Sequence, residues 1–395
     1  MHKYILIVAC VVSTLAAQSA QDFKNQQMQG FNKEKKQFGI YKKSQEEEFD
    51  TYLKEQDKAY KAYKKELGVF WDEPKTSTKK EWVSYTKDKK TRTNVDFSKE
   101  TITIETIASS PQEAKRKLQT ALAKAVTVDT KTVQETDPLE QKLAKIKKPQ
   151  GVIDDNVEPE PILSTIVFKD KPTKESVKAY VDKYVSLENI KAEDSTKVKH
   201  KKIYSLNVAL PKDTMIKRSK IYYNEVKKNA EKQRLPMALV FAVMHTESSF
   251  NPRARSHIPA YGLMQIVPRT AGMDTYMYLY KKKKLVSGNY LYNSANNIKM
   301  GTAYLHILYY KYLKDVKNLD SRLYCTIAAY NTGAGNIAWA FTRNYNMKNA
   351  APMINTKSPK EVYNKLLRDL RYDEPKHYLT KVSKRMGAYY RLYGS

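Results

Sequence analysis

Cysteine is almost missing from this 395-residue chain, which has only Cys10 and Cys325. Cys10 falls in an apolar N-terminal stretch that reads as a removable leader, so the mature chain is expected to keep one thiol and form no internal disulfide. Cys325 stands among Leu323, Tyr324, Ile327 and Ala328, the surroundings of a small buried hydrophobe, not of a nucleophile. The six histidines are scattered, with no Cys, Asp or Glu at ligand spacing, so no metal site is expected. The twelve glycines make no phosphate-cradling loop, so no cofactor is expected either. Acidic residues are scarce, 42 against 71 Lys and Arg for a formal charge of +29. Nucleic acid, an anionic membrane and an anionic wall polymer would all be drawn to such a surface, and a merely lysine-rich solvated surface has the same composition; charge alone selects no partner.

Long apolar runs are also lacking. Tyr4 to Ala17 falls short of the roughly 20 residues that span a bilayer, but it follows Met1-His2-Lys3 and precedes Ala17, Ser19 and Ala20, the pattern of an export signal over residues 1–20. Residues 21–80 are charged, with Phe49, Leu53, Tyr60, Tyr63 and Leu67 at helical spacing; an amphipathic helical lead-in, partly disordered before Phe49, is expected. From 81 to 211 the period shortens. Ile102, Ile104 and Thr106 form one alternating set and Tyr204, Leu206, Val208 and Leu210 another, while Val177, Tyr180, Val181, Tyr184 and Val185 form a helical stripe. A small mixed N-terminal domain follows, with Thr127 to Pro161 as a proline-bearing loop or insertion. Beyond Pro211 helices dominate: Ile216 to Lys232, one opened by Pro236 and ending near Glu247, then Asn296 to Leu313, Ser321 to Tyr330, Pro359 to Arg371 and His377 to Tyr393. The fold class is α+β, with a mainly helical domain over 212–395.

Four segments in that helical half occur in a telling order. They are Glu247-Ser248-Ser249-Phe250-Asn251-Pro252, Tyr261-Gly262-Leu263-Met264-Gln265-Ile266, Ala329-Tyr330-Asn331-Thr332-Gly333-Ala334-Gly335 and Glu374-Pro375-Lys376-His377-Tyr378-Leu379. Together they resemble the motifs of lytic transglycosylases with a lysozyme-like domain, enzymes that cleave peptidoglycan glycan strands. Asn94 to Ala108, Tyr204 to Pro211, and Ala295-Asn296-Asn297-Ile298 with Gly301-Thr302-Ala303-Tyr304-Leu305 further resemble the membrane-bound lytic murein transglycosylase C subfamily. Ile7-Val8-Ala9-Cys10 looks like a lipid-attachment box, and the subfamily is lipid-anchored. Cleavage near Ser19 or Ala20 is the favoured expectation, with an outer-membrane anchor at Cys10 as the alternative. The implied partner is the peptidoglycan glycan strand, without nucleic acid; protein partners are unspecified.

Cleaving a glycosidic bond needs a proton for the departing oxygen, hence a carboxyl kept protonated near neutral pH. Glu247, with Leu239, Val243, Phe250, Leu263 and Met264 available to bury it, is the expected catalytic residue. A hydrolase needs a second carboxylate, yet no acid occurs from Ser248 to Met273. The resemblance accordingly implies one glutamate serving as acid and then base, closing a 1,6-anhydro ring between N-acetylmuramic acid and its own C6 hydroxyl. Substrate-binding roles are expected for Ser248, Met264, Gln265, Tyr330, Asn331 and Tyr378, and a supporting, mainly structural one for Glu374. A muramidase hydrolase on the same fold and a noncatalytic wall-binding protein remain the alternatives.

Overall fold

The computed structural model describes residues 47–256 and 259–394. The export signal, Cys10 and the lead-in before residue 47 lie outside them. Residues 47–58 with 146–150 form a small unit, and 59–145 with 151–394 a second. In the first unit the Phe49 and Tyr52 rings lie 6.1 Å apart and Glu48 accepts the Gln150 backbone N–H at 3.0 Å. The helical run continues to residue 67, and in the second unit its expected apolar face buries Tyr63 and Leu67. Tyr63 and Trp71 both meet Tyr85 edge-on, at centroid separations of 6.1 and 6.3 Å.

Five strands make one antiparallel sheet: β1 (Glu81–Tyr85), β2 (Thr91–Asp96), β3 (Thr101–Ala108), β4 (Lys191–Asp194) and β5 (Lys202–Ala209), in the order β1-β2-β3-β5-β4. The two alternating sets pair with each other, Ile102 opposite Val208 and Ile104 opposite Leu206, and turn the same side of the pleat inward. Helix Pro111–Thr127 covers that side with Ala114, Leu118 and Leu122, and helix Lys174–Tyr184 joins the same core through Val181. The exposed edge strand β4 reads Lys-Ala-Glu-Asp, charges that discourage pairing with another chain.

The loop expected over Thr127 to Pro161 is corrected. It contains helices Thr130–Thr136 and Pro138–Ala144, whose first turns are capped by the Asp129 and Asp137 carboxylates. Pro138 is a first-turn residue, where a missing N–H costs nothing, so it starts a helix instead of breaking one. The helix expected over Ile216 to Lys232 is likewise two, Thr214–Ile221 and Tyr223–Gln233, parted at Tyr222.

The helical half is built on Met237–Ser248, in which every residue from Ala238 to Met244 is fully buried. A helix apolar on all sides belongs in the middle of a core, and this one packs along the last helix, Asp373–Tyr393. Sheet and helices are tied by buried charge: Arg218 donates to the Phe97 carbonyl at 2.8 Å, and Arg253 donates to Gln134 at 2.9 Å and to Glu140 at 2.7 Å while stacking on Tyr292.

Candidate active site

The buried central helix ends abruptly. Ser249 and Phe250 both adopt left-handed backbone conformations, φ 50° and 60°, costing on the order of 1–2 kcal/mol each in a residue with a Cβ. The Phe250 ring repays this among Tyr222, Phe241, His245 and Tyr389. Glu247 is thus held on the last turn, only 6% exposed.

Burial is the main influence on that carboxyl and raises its pKa. Lys79 and a hydrogen-bonding interaction with Tyr378 act against burial, Glu374 acts with it, and Lys80 against it; the result is a pKa pushed up to about 7. The Tyr378 hydroxyl lies next to the carboxyl, but in this arrangement it completes no hydrogen bond of ordinary geometry with a described residue. Gln265 Oε1 is also buried without a partner among the described residues. A buried polar atom left without a partner costs about 1–3 kcal/mol.

The 261–266 loop forms the facing wall. Gly262 sits at φ 73°, and a Cβ there would lie 2.3 Å from the Asn297 amide nitrogen and 2.4 Å from the Leu291 carbonyl. Asn297, fully buried, donates to the Tyr261 and Leu291 carbonyls and accepts from the Met264 N–H, each at 2.8 Å. Gln265 takes φ 48° and its Nε2 donates to the Gly262 carbonyl at 3.0 Å. With Tyr304, Tyr330, Asn331 and Gly333 it lines a cavity of about 350 Å³.

The expected site residues do not all face this space. Tyr330 does, with its hydroxyl donating to the Met264 carbonyl at 2.9 Å. Asn331 does too, its Nδ2 lying 3.5 Å from Glu374 Oε1. Ser248 turns inward: its fully buried hydroxyl is 2.8 Å from the Leu263 carbonyl and 3.1 Å from that of Met244, so it pins helix to loop. Met264 is packed as well, its sulfur occupying the space above Gly301 where a Cβ would come within 2.3 Å. Glu374 is exposed, with its carboxylate 3.6 Å from the Lys79 ammonium.

Several neighbours of the catalytic candidate carry no signal in the sequence. Arg385 donates to Thr246 Oγ1 at 2.8 Å. His245 shares a 3.1 Å hydrogen bond with the Tyr389 hydroxyl, and burial, then Arg385, Lys80 and Arg218, push its pKa down to about 3, so it is neutral at any working pH. The dipeptide Lys79-Lys80 gave no signal among so many lysines, and only the packing of the sheet domain brings it here.

Comparison with known proteins bears on this geometry. A membrane-bound lytic murein transglycosylase C N-terminal domain matches residues 32–221 and a transglycosylase SLT domain residues 224–352. A membrane-bound lytic murein transglycosylase C from Serratia proteamaculans is 36% identical over 316 residues, covering 79% of this chain and 83% of that relative. The chain belongs to the membrane-bound lytic murein transglycosylase C family. A Klebsiella pneumoniae protein of that name is 33% identical over 79% of this chain and 82% of its own length. The 70 kDa soluble lytic transglycosylase Slt70 from Escherichia coli is 25% identical, with TM-score 0.35 over 44% of this chain and 25% of that one. The class expected from the motifs, a peptidoglycan lytic transglycosylase, is the class of this family. Among the described residues no helix is long and apolar enough to cross a membrane.

Proposed function

We propose that the protein cleaves the bond between N-acetylmuramic acid and N-acetylglucosamine without water, with Glu247 as both acid and base. What carries the reading is a single buried carboxyl poised near neutrality, beside which the nearest acidic influence, Glu374, is 71% exposed and paired with Lys79. Protonated Glu247 gives its proton to the glycosidic oxygen as the bond to the muramyl C1 breaks. The carboxylate left behind then takes the proton of the muramyl C6 hydroxyl, whose oxygen bonds to C1. Glu247 ends protonated, ready for the next turnover. Closure within one sugar has the advantage of high effective concentration, and the Tyr378 hydroxyl supports the ionised glutamate between the two proton transfers. Gln265 and Asn331, on the cavity wall, supply amide groups for hydroxyl and acetamido recognition.

Mass spectrometry of products from purified glycan strands tests this. Anhydromuramyl ends 18 Da lighter than hydrated ends (the mass of the water not added) are expected, while hydrated ends alone would replace the reading with a muramidase. Because an exposed ion pair is worth about 1 kcal/mol or less, Glu374→Gln should lower product yield by no more than about fivefold; a larger loss with the fold intact, checked by circular dichroism, would make Glu374 a second working carboxylate.

We also infer export to the periplasm with membrane association. The two processing routes the N-terminus offers are cleavage near Ser19 or Ala20 and lipid attachment at Cys10.

A further inference from the structure

Thr78, Lys79 and Lys80 follow the lead-in helix and are fixed by three successive carbonyls. Thr78 O accepts the Arg255 N–H at 3.4 Å, Lys79 O accepts Asn251 Nδ2 at 3.4 Å, and Lys80 O accepts the Phe97 N–H at 2.9 Å. Two of those donors belong to the loop just after Glu247 and the third directly follows β2, so the backbone of both lysines is held at the rim of the site without help from their side chains. Lys79 reaches Glu374 at 3.6 Å. Lys80 is half-buried and feels the charges of Arg385, Lys381 and Glu247. Arg385, also half-buried, is anchored on Thr246, the residue before Glu247. Lys79 and Lys80 thus act on the Glu247 carboxyl, and Lys381 and Arg385 crowd Lys80 in turn. Among the described residues none of Lys80, Lys381 and Arg385 has a carboxylate within salt-bridge distance. Like charges held together at partial burial repel and lose hydration, so the cluster lowers stability unless an anion joins it.

We propose that Lys79 and Lys80 of the sheet domain, with Lys381 and Arg385 of the last helix, form a carboxylate-binding subsite for the anionic substituent carried on the muramyl residue. This rests on the glycan reading above and assigns the sheet domain a part in substrate selection. A carboxylate bound there offsets the positive field of Lys79 and Lys80 at Glu247, which Tyr378 and Tyr330 also face and which Glu374 only partly balances. Arrival of the anion then favours the protonated acid, and by reciprocity the protonated acid favours the anion.

The test measures kcat and KM of the full mature protein on three substrates in about 50 mM salt, where charges separated by ten ångströms still interact. They are glycan strands with native peptides, the same strands with carboxyl groups amidated by carbodiimide and ammonia, and strands stripped of peptide, which keep only the lactyl carboxylate. The wild type is expected to favour native over amidated strands by about five- to tenfold, chiefly through KM. In Lys79→Gln/Lys80→Gln that ratio should fall toward one. Equal use of the two by the wild type, or a full ratio in the double variant, would overturn the subsite. Lys381→Gln, on an exposed position of the last helix, should halve the ratio or more and serves if the double variant does not fold. Stripped strands used as well as native ones show that the lactyl carboxylate, an amide in native strands, can replace the peptide carboxylates in the subsite; stripped strands used as poorly as amidated ones restrict the subsite to the peptide. Failure of the glycan reading looks different, since the wild type would then cleave no strand.

Discussion

Glu247→Gln is expected to abolish strand cleavage and to make the protein more stable above neutral pH. General acid help is worth about 10² to 10⁴ in rate, and in the proposed mechanism one group performs both proton transfers, so the loss should reach at least the upper end. The stability gain follows from the same burial. The carboxyl has a folded pKa of about 7 against an ordinary 4.5, so the folded state binds its proton more tightly than the unfolded chain. Its contribution to stability is therefore full below about pH 4.5 and is lost as pH rises through about 7. A shift of that size corresponds to about 3 kcal/mol at pH 8, a cost that glutamine, which does not ionise, avoids. Unfolding by urea at pH 4.5 and pH 8 should show the variant ahead only at pH 8, and wild-type cleavage should decline above about pH 7 as the acid is lost. Appreciable turnover by the folded variant would remove Glu247 from the mechanism. Equal effects at the two pH values would mean that the buried carboxyl does not carry the strain attributed to it.

The catalytic candidate was readable because its motif is local. Glu247 and the Tyr330-Asn331 pair each sit on or beside a helix end that the apolar periodicity locates, the Tyr261-to-Ile266 loop shows only through its own motif, and β3 and β5 are legible from strict alternation. Other parts were not, for physical reasons. β1 contains the half-buried Glu81 and Ser84, and β2 contains Thr91, Arg92, Thr93 and Asn94, polar residues buried with hydrogen bonds and stacking, such as Arg92 on Glu105 and over Trp71, that no hydropathy pattern reveals. The helix that starts at Pro138 is hidden in the proline-bearing segment because a proline at a helix start and one in a loop look alike without the Asp137 cap in view. Ser248 and Met264 carry the composition of site residues, yet their side chains serve the wall behind the site. The cationic rim was least legible of all: Lys79-Lys80 and Arg385 lie at opposite ends of the chain and are joined by the docking of the sheet domain.

The Asn297 amide holds the 261–266 loop by two hydrogen bonds and the Leu291 carbonyl by a third, so Asn297→Ala should be among the most damaging substitutions away from Glu247. The Met264 N–H and the Leu291 carbonyl lose their side-chain partner inside a core, while the Tyr261 carbonyl keeps the Ile266 N–H, at about 1–3 kcal/mol for each group left unpaired, or about 2–5 kcal/mol in total once the loop relaxes. Activity should fall further than stability explains. Gln265 loses its left-handed seat, and the Met264 and Leu263 carbonyls that receive Tyr330 and Ser248 are no longer fixed, so the wall of the cavity lined by Gln265 and Tyr330 loosens even in molecules that stay folded. Gly262→Ala breaks the same attachment from the other side, because its methyl group would stand where the Asn297 amide lies and its φ of 73° suits glycine alone. Two substitutions that sever one attachment cannot each cost the full amount when combined. A double-mutant cycle in urea should therefore show the pair well short of additive, and strict additivity would mean that Asn297 and Gly262 secure different parts of the wall.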